Sequence, residues 1–351
     1  MSDPRTSPPL FDAHCDTVMK VLDEGADFIT GMGAGHISWP GMVAANLRAQ
    51  VFACFVLSEH HPGEEAERAH AMIDAIESMA AGTEGAMAIA RSGQEIEDAF
   101  GSGPRAAILG LEGADPLEGR AENLRAFAAR GVRDLIFAWK DNPFSGTAFG
   151  DDTPLTAEGE RLLGLCEDLH VMVDVSHLSD SAFDDVRRLA TRPFIASHSN
   201  CRVLCPSPRN LTDERIRVVA DRGGVMGINL SPAFLNPGYY HATQPLFQAS
   251  KRPGITDEER RELRQQAAGI PKGGLDWAVR HVVHAVDVGG EDCIGLGCDL
   301  DGIAFLPDGM ESVDDLAFFA PLLRDAGLGE EQVEKVCWRN FVRVFREVLG
   351  A

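Results

Sequence analysis

The sequence predicts an α/β fold in which eight parallel strands and their helices form a (β/α)8 TIM barrel. Eight short apolar runs rich in Val, Ile, Leu and Phe recur along the 351 residues, and segments of helical periodicity separate most of them. Each run is apolar almost throughout, which is typical of parallel strands covered on both faces. Such barrels often exceed about 250 residues in one domain. We therefore predict a single domain over residues 1–351.

The predicted elements alternate along the chain. The eight strands are predicted over residues 10–14, 51–57, 106–111, 134–138, 170–175, 193–197, 224–230 and 293–297. Apolar residues that recur every three or four positions predict helices over 64–79, 123–130, 154–169, 180–189, 213–222 and 275–286. A last amphipathic helix is predicted over 328–349.

One segment breaks this alternation. Residues 231–274 separate the seventh and eighth strands and are too many for a simple connection. They contain prolines, the adjacent Tyr239 and Tyr240, and the charged run TDEERRELRQQ. We predict that this long insertion serves as an active-site lid or as a contact between subunits.

The charge of the chain excludes some classes of partner. With 54 acidic and 32 basic side chains the formal net charge is −22, which disfavours binding to nucleic acid and to anionic membranes. No apolar run approaches the roughly 18 residues of a membrane helix. The start MSDPRTSPPL lacks the features of a secretion signal, and the eight cysteines form no CxxC pair. We predict a cytoplasmic protein.

The first strand ends in a possible metal-binding pair, His14 and Asp16, within FDAHCDT. Side chains two positions apart on a strand point to the same face. Imidazole and carboxylate groups are good ligands for Zn²⁺, and barrel enzymes keep their chemistry at the carboxyl ends of the strands. Taken alone, the pair also fits ordinary hydrogen bonding at a strand end.

Further candidates follow other predicted strands. They are Glu112 in GLEGADPL, His177 in VDVSHLSD, His198 in SHSNCRVL, and Asp299 with Asp301 in GCDLDG. Each alone fits a structural role, such as a helix cap or a hydrogen-bonded core histidine, and for Asp301 we favour a role in orienting the loop. Their recurrence at strand ends of one barrel favours a metal centre.

The number of candidate ligands indicates two ions. Five histidine and carboxylate ligands exceed what one tetrahedral catalytic ion with an open position uses. Two ions about 3.5 to 4 Å apart, bridged by a carboxylate and a solvent molecule, would use them all. We predict Glu112 as the bridge. A carbamylated lysine is the alternative bridge, but the chain has five lysines and only Lys140 lies at a strand end.

Arg209, in CPSPRNLTDERI after His198, is a candidate for substrate binding. Its planar guanidinium group matches a carboxylate in a bidentate manner, so that it would hold a terminal carboxylate of a substrate. A solvated surface arginine is the alternative.

These motifs resemble one known family. FDAHCDT, GLEGADPL, VDVSHLSD, SHS with RN beginning eleven residues after its His, GCDLDG and NFVRVF are similar to motifs of the membrane (renal) dipeptidases, peptidase family M19 of the amidohydrolase superfamily. The resemblance spans nearly the whole chain and implies a metallo-dependent hydrolase barrel with two Zn²⁺ ions. It implies that His14 and Asp16 bind one ion, His177 and His198 bind the other, and Glu112 bridges them.

The resemblance also implies roles outside the ligand set. Arg209 matches the arginine that binds the carboxyl terminus of the substrate, and Asp299 matches the aspartate that acts as acid and base. Family members are typically homodimers. Bacterial members often cleave dipeptides that carry a D-residue at the carboxyl-terminal position.

One position departs from the family pattern. After the fourth strand the family commonly has Leu-Thr-His, whose His reaches the substrate carbonyl, whereas this chain has Trp139 in LIFAWKDNPFSG. Indole donates one hydrogen bond and accepts no proton. Stabilisation of the oxyanion would then come from Trp139, a metal ion or a neighbour such as Asn142. The alternative is that Trp139 is an aromatic wall of the substrate site.

The leading functional hypothesis is hydrolysis of dipeptides that have a free carboxyl terminus. A metal-bridging hydroxide would attack the scissile carbonyl, and Asp299 would carry its proton to the departing amine. One alternative is a metal-dependent hydrolase of N-acyl amino acids, cyclic amides or lactones on the same barrel. Another, suggested by Trp139, is a metal-binding protein without catalysis.

Overall fold

The structure is a computed structural model that describes residues 8–33, 35–252 and 254–351. Within these ranges eight strands form one sheet, and all their pairings are parallel. The strands are β1 (Leu10–Cys15), β2 (Leu47–Phe55), β3 (Met87–Ile89), β4 (Arg105–Glu112), β5 (Val132–Ile136), β6 (Met172–Asp174), β7 (Met226–Ile228) and β8 (Ile294–Leu296). They lie in the order β6-β5-β4-β2-β1-β8-β7, with β3 beside β4.

Segment 193–197 joins the two ends of this row, β6 and β7. Asp174 bridges to Ile195, and Ala196 bridges to Met226, both in parallel. Backbone hydrogen bonds therefore continue from β6 through segment 193–197 to β7. The predicted (β/α)8 barrel is confirmed.

Two details of the predicted sheet are wrong. We predicted a full strand over 193–197, but only isolated bridges form there, because a proline at 193 lacks an N–H group for the ladder. The Ser197 carbonyl oxygen packs closely against Gly227 and Gly297, where a Cβ atom would lie 1.9 or 1.6 Å from it. The short β3 was not predicted, since only one of its three residues is buried and it shows no strand pattern.

Helices follow most strands, as the periodicity predicted. The helices are α1 (Thr17–Glu24), α2 (Trp39–Ala44), α3 (Glu65–Gly82), α4 (Gly93–Asp98), α5 (Leu124–Arg130), α6 (Ala157–Asp168), α7 (Asp180–Leu189), α8 (Asp213–Asp221), α9 (Pro232–Leu235), α10 (Pro237–Ser250), α11 (Asp257–Ala268), α12 (Asp276–Gly289), α13 (Phe319–Asp325), α14 (Glu330–Glu334) and α15 (Asn340–Leu349). The predicted helix 328–349 is divided, because a π-helical turn, Lys335–Arg339, separates α14 from α15.

Hydroxyl side chains cap the first turn of several of these helices, including three that follow one another in the barrel. Thr156, Ser179 and Thr212 each accept a hydrogen bond from the backbone N–H three residues later, at the starts of α6, α7 and α8. Such a cap satisfies an N–H group that has no partner within the helix. These caps fix where each helix begins after its strand or loop.

The long insertion between the seventh and eighth barrel strands is confirmed and contains α9, α10 and α11. Helix α11 has no buried residue, whereas Leu235 of α9 and Tyr239 of α10 are buried. Its role as a lid or subunit contact stays a prediction, as does the single domain over 1–351.

Within the described ranges, no helix is long and apolar enough to cross a membrane. All eight cysteines are buried free thiols. The prediction that the chain lacks a secretion signal concerns residues 1–7 above all, and these lie outside the described ranges.

A buried histidine of α12, His281, forms hydrogen bonds with α9 and with the loop that follows segment 193–197. Nδ1 of His281 accepts a hydrogen bond from the Cys201 N–H at 2.9 Å, and Nε2 donates to the Leu235 carbonyl oxygen at 3.0 Å. Nδ1 accepts a hydrogen bond only in the neutral ring, and burial lowers the pKa of His281 to about 4.

We expect His281→Phe to lower the free energy of unfolding by about 2 to 4 kcal/mol, because two buried backbone groups lose their partner. The contribution of His281 to the free energy of unfolding decreases as the pH falls. A histidine in the unfolded chain binds its proton at about pH 6.5, whereas His281 in the folded protein binds one only near pH 4. The stability of the wild-type protein therefore declines as the pH falls from about 6.5 to about 4. The variant has no histidine at position 281, so its stability should decline less over this range.

Urea unfolding at pH 7 and pH 5 measures both effects. His241→Phe, at an exposed histidine of α10, is the control and should leave the free energy of unfolding unchanged. Equal stability of His281→Phe and wild type at pH 7 would contradict the anchoring role.

Candidate metal centre

Six polar side chains meet at the carboxyl ends of the barrel strands, as the sequence predicted. His177 exposes 11% of its side chain, and the other five are buried. Each lies at the end of a barrel strand or just after it. His14 and Asp16 are at the end of β1, Glu112 ends β4, His177 follows β6, His198 follows segment 193–197, and Asp299 follows β8. The closed barrel therefore gathers residues that are up to 285 positions apart in the chain.

Glu112 lies at the centre of this group. Its Oε2 is 3.5 Å from Nε2 of His14. Its Oε1 is 3.0 Å from Nε2 of His177 and 3.8 Å from Nε2 of His198. Nε2 of His14 is also 3.5 Å from Oδ2 of Asp16. The two carboxylate oxygens of Glu112 thus face two different sets of ligand atoms.

The unpaired atoms of the site fit a metal centre. Both ring nitrogens of His14 and Oδ1 of Asp16 are buried and have no hydrogen-bond partner among the described residues. The Nε2 atoms of His177 and His198 face each other at 2.9 Å. Buried polar atoms are normally paired or bind metal ions. Histidine nitrogens and carboxylate oxygens are suitable ligands for Zn²⁺ and similar ions.

Two sets of three ligand atoms lie close enough to bind one ion each. Within 4.8 Å of one another are the ligand atoms of His14, Glu112 and His198, and likewise those of His14, Asp16 and Asp299. Both sets share His14, whereas the family resemblance implied that His14 and His198 bind different ions. The two sets of ligand atoms therefore overlap at His14.

The charged states of the site depend on one another. Burial opposes ionisation of Glu112, but the positive charge of His14 and the close contacts with the His14 and His177 rings hold its pKa below the usual range. Burial and, to a lesser extent, the nearby Arg209 charge lower the pKa of His177 to about 4. Burial likewise lowers the pKa of His198. Neutral His177 and His198 are the forms that bind metal ions.

A buried network orients His198. Its Nδ1 is 2.7 Å from the Ser197 hydroxyl, so that Nε2 faces Glu112. The Ser197 N–H and the Ser176 N–H both donate to Oδ1 of Asp174, at 3.0 and 2.8 Å. Such partners hold a ligand ring in place. The sequence analysis missed Asp174, Ser176 and Ser197, although they flank His177 and His198 in the same motifs.

Asp299 lies against the ligand carboxylates. The Nδ2 group of Asn229 donates to its Oδ2 at 2.8 Å, and burial raises its pKa to about 6. Its backbone is left-handed, with φ 59°. A Cβ atom at Gly302 would lie 2.3 Å from Oδ1 of Asp299 and 2.1 Å from Oδ2 of Asp16. The absence of a side chain at Gly302 therefore makes room for both carboxylates.

Asp301 fixes the loop that carries Asp299. Its Oδ2 accepts a hydrogen bond from the Thr17 hydroxyl at 2.7 Å, and its Oδ1 accepts one from the His36 N–H at 2.6 Å. These contacts tie the loop after β8 to the start of α1. They agree with the predicted role in orienting the loop.

Arg209 is buried beside the six residues, with 3% of its surface exposed. Its Nη1 donates to the Ser199 hydroxyl and its Nη2 to the His198 carbonyl, both at 3.1 Å. Its Nε has no partner and no carboxylate lies within 4 Å, as far as the described residues show. Burial lowers its pKa to about 10. A buried cation without a carboxylate partner is unfavourable unless an anion binds.

Trp139 stands at the rim of the site. It is 41% exposed, and its ring centre is 4.9 Å from that of Phe55 and 6.3 Å from that of His177. The structure therefore places Trp139 beside the candidate ligands, as part of an aromatic surface at the rim.

The suggestion that Asn142 stabilises the oxyanion is not supported. Its Nδ2 donates to the Phe137 carbonyl, and its Oδ1 accepts hydrogen bonds from the N–H groups of Phe144 and Ser145. The side chain shapes the loop after β5 and is fully used there. The Asn-Pro pair was a signal of such a turn.

A closed barrel with histidines and carboxylates at the carboxyl ends of its strands defines the class of metal-dependent barrel hydrolases. The match over the sequence is more specific. Residues 5–350 match the membrane dipeptidase family, peptidase family M19. The chain therefore belongs to this family of metallo-dipeptidases, and its amidohydrolase-type fold is shared with solved structures.

Three similar proteins illustrate the relationship. The "uncharacterized protein in pqqA 5′ region" of Klebsiella pneumoniae is 31% identical over 295 residues, which cover 82% of this chain and 98% of that protein. The crystal structure of dipeptidase AC, a family M19 metallo peptidase, matches with TM-score 0.82 and 27% identity over 98% of this chain and 100% of that chain. A metallo peptidase from Rhodobacter sphaeroides, liganded with a phosphinate mimic of the dipeptide L-Ala-D-Ala, matches with TM-score 0.82 and 25% identity, over 97% and 99%.

Proposed function

We propose that this protein is a binuclear zinc dipeptidase. In this proposal His14 and Asp16 hold one ion, His177 and His198 hold the other, and Glu112 bridges them. The observation that carries the proposal is the position of Glu112, whose Oε2 faces His14 while its Oε1 faces His177 and His198. A carboxylate with one oxygen toward each ligand set is what a bridging ligand requires.

Arg209 indicates the kind of substrate. A buried guanidinium group beside the candidate metal ligands, with an unpaired Nε, favours a ligand that brings a carboxylate. The substrate is therefore a dipeptide whose free carboxyl terminus binds Arg209. The Rhodobacter metallo peptidase bound to a mimic of L-Ala-D-Ala supports the inclusion of dipeptides with a D-residue at that end.

The protein's own groups then manage the protons and the orientation. When bound, two zinc ions supply Lewis acidity and lower the pKa of water toward neutrality. Asp299, held by Asn229 and with its pKa raised to about 6, takes a proton from the attacking water and gives it to the departing amine. Trp139, at the rim beside His177, occupies the position where the family pattern commonly has histidine, and we expect its indole N–H to donate to the substrate carbonyl.

Assembly and location complete the proposal. The family relationship supports a homodimer, and we expect the protein to act in the cytoplasm. Size-exclusion chromatography with light scattering measures the oligomeric state, and cell fractionation measures the location.

We expect Arg209→Met to lower kcat/KM for Ala-Ala by about 10- to 100-fold, since hydrogen bonds to a charged group contribute about 1.5 to 3 kcal/mol. The test compares Ala-Ala with Ala-Ala amide, which lacks the terminal charge. Wild type should prefer the free acid, and the variant should lose the preference.

Arg217→Met, at an exposed arginine of α8, is the matched control and should behave as wild type. If Arg209→Met keeps the preference for the free acid, recognition of the carboxyl terminus by Arg209 is wrong. Hydrolysis of cyclic amides or lactones, which can lack a free carboxylate, would then be the function to test.

A further inference from the structure

Three phenylalanines form an aromatic cluster on the side of the site that the proposed mechanism does not use. Phe149 lies in the loop after β5, and Phe234 and Phe247 lie in α9 and α10 of the insertion. The ring centre of Phe149 is 6.4 Å from that of Phe234 and 5.7 Å from that of Phe247. Nζ of Lys251 lies 4.4 Å from the Phe247 ring centre. We call these three phenylalanines the aromatic cluster.

The cluster is attached to the site at two points. Next to Phe149, the Ala148 N–H donates to the His177 carbonyl oxygen at 2.8 Å. At the other end, the guanidinium carbon of Arg209 lies 5.9 Å from the Phe234 ring centre. The cluster therefore extends between a candidate metal ligand and the arginine that binds the substrate carboxylate.

These two points fix where part of a dipeptide would lie. In the proposed function, Arg209 holds the carboxylate of the carboxyl-terminal residue, and the metal centre beside His177 receives the scissile amide of the same residue. The side chain of that residue must leave from between these two points. This is the space that the aromatic cluster borders.

We propose that the aromatic cluster binds the side chain of the carboxyl-terminal residue, so that the preferred substrates are dipeptides with a large apolar or aromatic residue at that position. This inference rests on the proposed dipeptidase function. It also gives the insertion a role, because α9 and α10 supply two of the three rings.

The exposure and charge of the cluster fit this role. Phe149 is 41% exposed, so that it offers apolar surface for a substrate to bury. Aromatic rings pack against one another in tilted and offset arrangements. The Lys251 ammonium group lies 4.4 Å from the Phe247 ring centre and 5.6 Å from the Phe149 ring centre, and the Arg209 guanidinium group lies near Phe234. Phe55 and Trp139 form a separate aromatic pair, and Trp139 is the ring of this pair that lies near His177.

The experiment compares kcat/KM for Ala-Phe and Ala-Ala, with the carboxyl-terminal stereochemistry that the enzyme accepts. We expect wild type to prefer Ala-Phe by about 10-fold or more. Phe149→Ala should reduce the ratio of kcat/KM for Ala-Phe to kcat/KM for Ala-Ala by about 5- to 10-fold. Phe318→Ala, at a 58% exposed phenylalanine outside the cluster, should keep the wild-type ratio.

The substrate Phe-Ala provides a second control, because its aromatic side chain lies at the amino-terminal position. Its kcat/KM relative to Ala-Ala should not change in Phe149→Ala. If Ala-Ala is hydrolysed but Phe149→Ala keeps the Ala-Phe ratio, the cluster only anchors the insertion, and the subsite is wrong while the dipeptidase function stands. If neither dipeptide is hydrolysed at full metal occupancy, the dipeptidase function and the side-chain subsite are both wrong.

Discussion

Glu112→Gln is expected to lose bound metal and to lower kcat/KM for dipeptide hydrolysis by about 1000-fold or more. Glu112 faces His14 with one oxygen and His177 with the other, and glutamine replaces one of these oxygens with an amide NH₂ group that is a poor metal ligand. Loss of a partner outside the ligand set already costs about 10- to 100-fold in metal affinity or activity. Loss of a shared ligand should cost more.

Metal content per chain after dialysis and kcat/KM for Ala-Ala measure this result. Glu84→Gln, at an exposed glutamate in the turn before β3, is the matched control and should retain metal and activity. Retention of two metal ions and full turnover in Glu112→Gln would mean that Glu112 is not the bridge.

Asp299→Asn is expected to keep its metal ions and lower kcat by about 100- to 10,000-fold, the range for loss of a general acid and base. Asparagine has nearly the same shape and still accepts the hydrogen bond that Asn229 donates to Oδ2 of Asp299. It cannot take up a proton. The variant therefore separates proton transfer from the structure of the site.

The same samples should be analysed for metal and turnover, with Asp287→Asn, at an exposed aspartate of α12, as control. The ligand atoms of His14, Asp16 and Asp299 lie within 4.8 Å of one another, so loss of metal together with activity would place Asp299 among the ligands. Unchanged turnover at full metal content would overturn its role as acid and base.

The sequence predicted which polar side chains would lie together because of a general property of parallel barrels. The carboxyl ends of all strands lie at one end of the barrel, so polar residues after apolar runs, such as His14, Glu112 and His198, are brought together whatever their separation in the chain. The apolar runs located these strand ends without any knowledge of the strand order.

What the sequence missed depends on contacts between distant segments. Asn229 donates to Asp299 from 70 residues away, and nothing in its local pattern indicates this partner. Segment 193–197 has the apolar pattern of a strand, but only Ile195 and Ala196 form bridges in the structure. The left-handed backbone of His177 and Asp299 is likewise not visible in the sequence.

The most direct test of the account combines metal analysis with hydrolysis of L-Ala-D-Ala and L-Ala-L-Ala by the zinc-reconstituted protein. About two zinc ions per chain together with turnover of at least one of the two dipeptides is the result that the account predicts. Full metal occupancy without turnover of either dipeptide would contradict it, and so would turnover with a single zinc ion per chain.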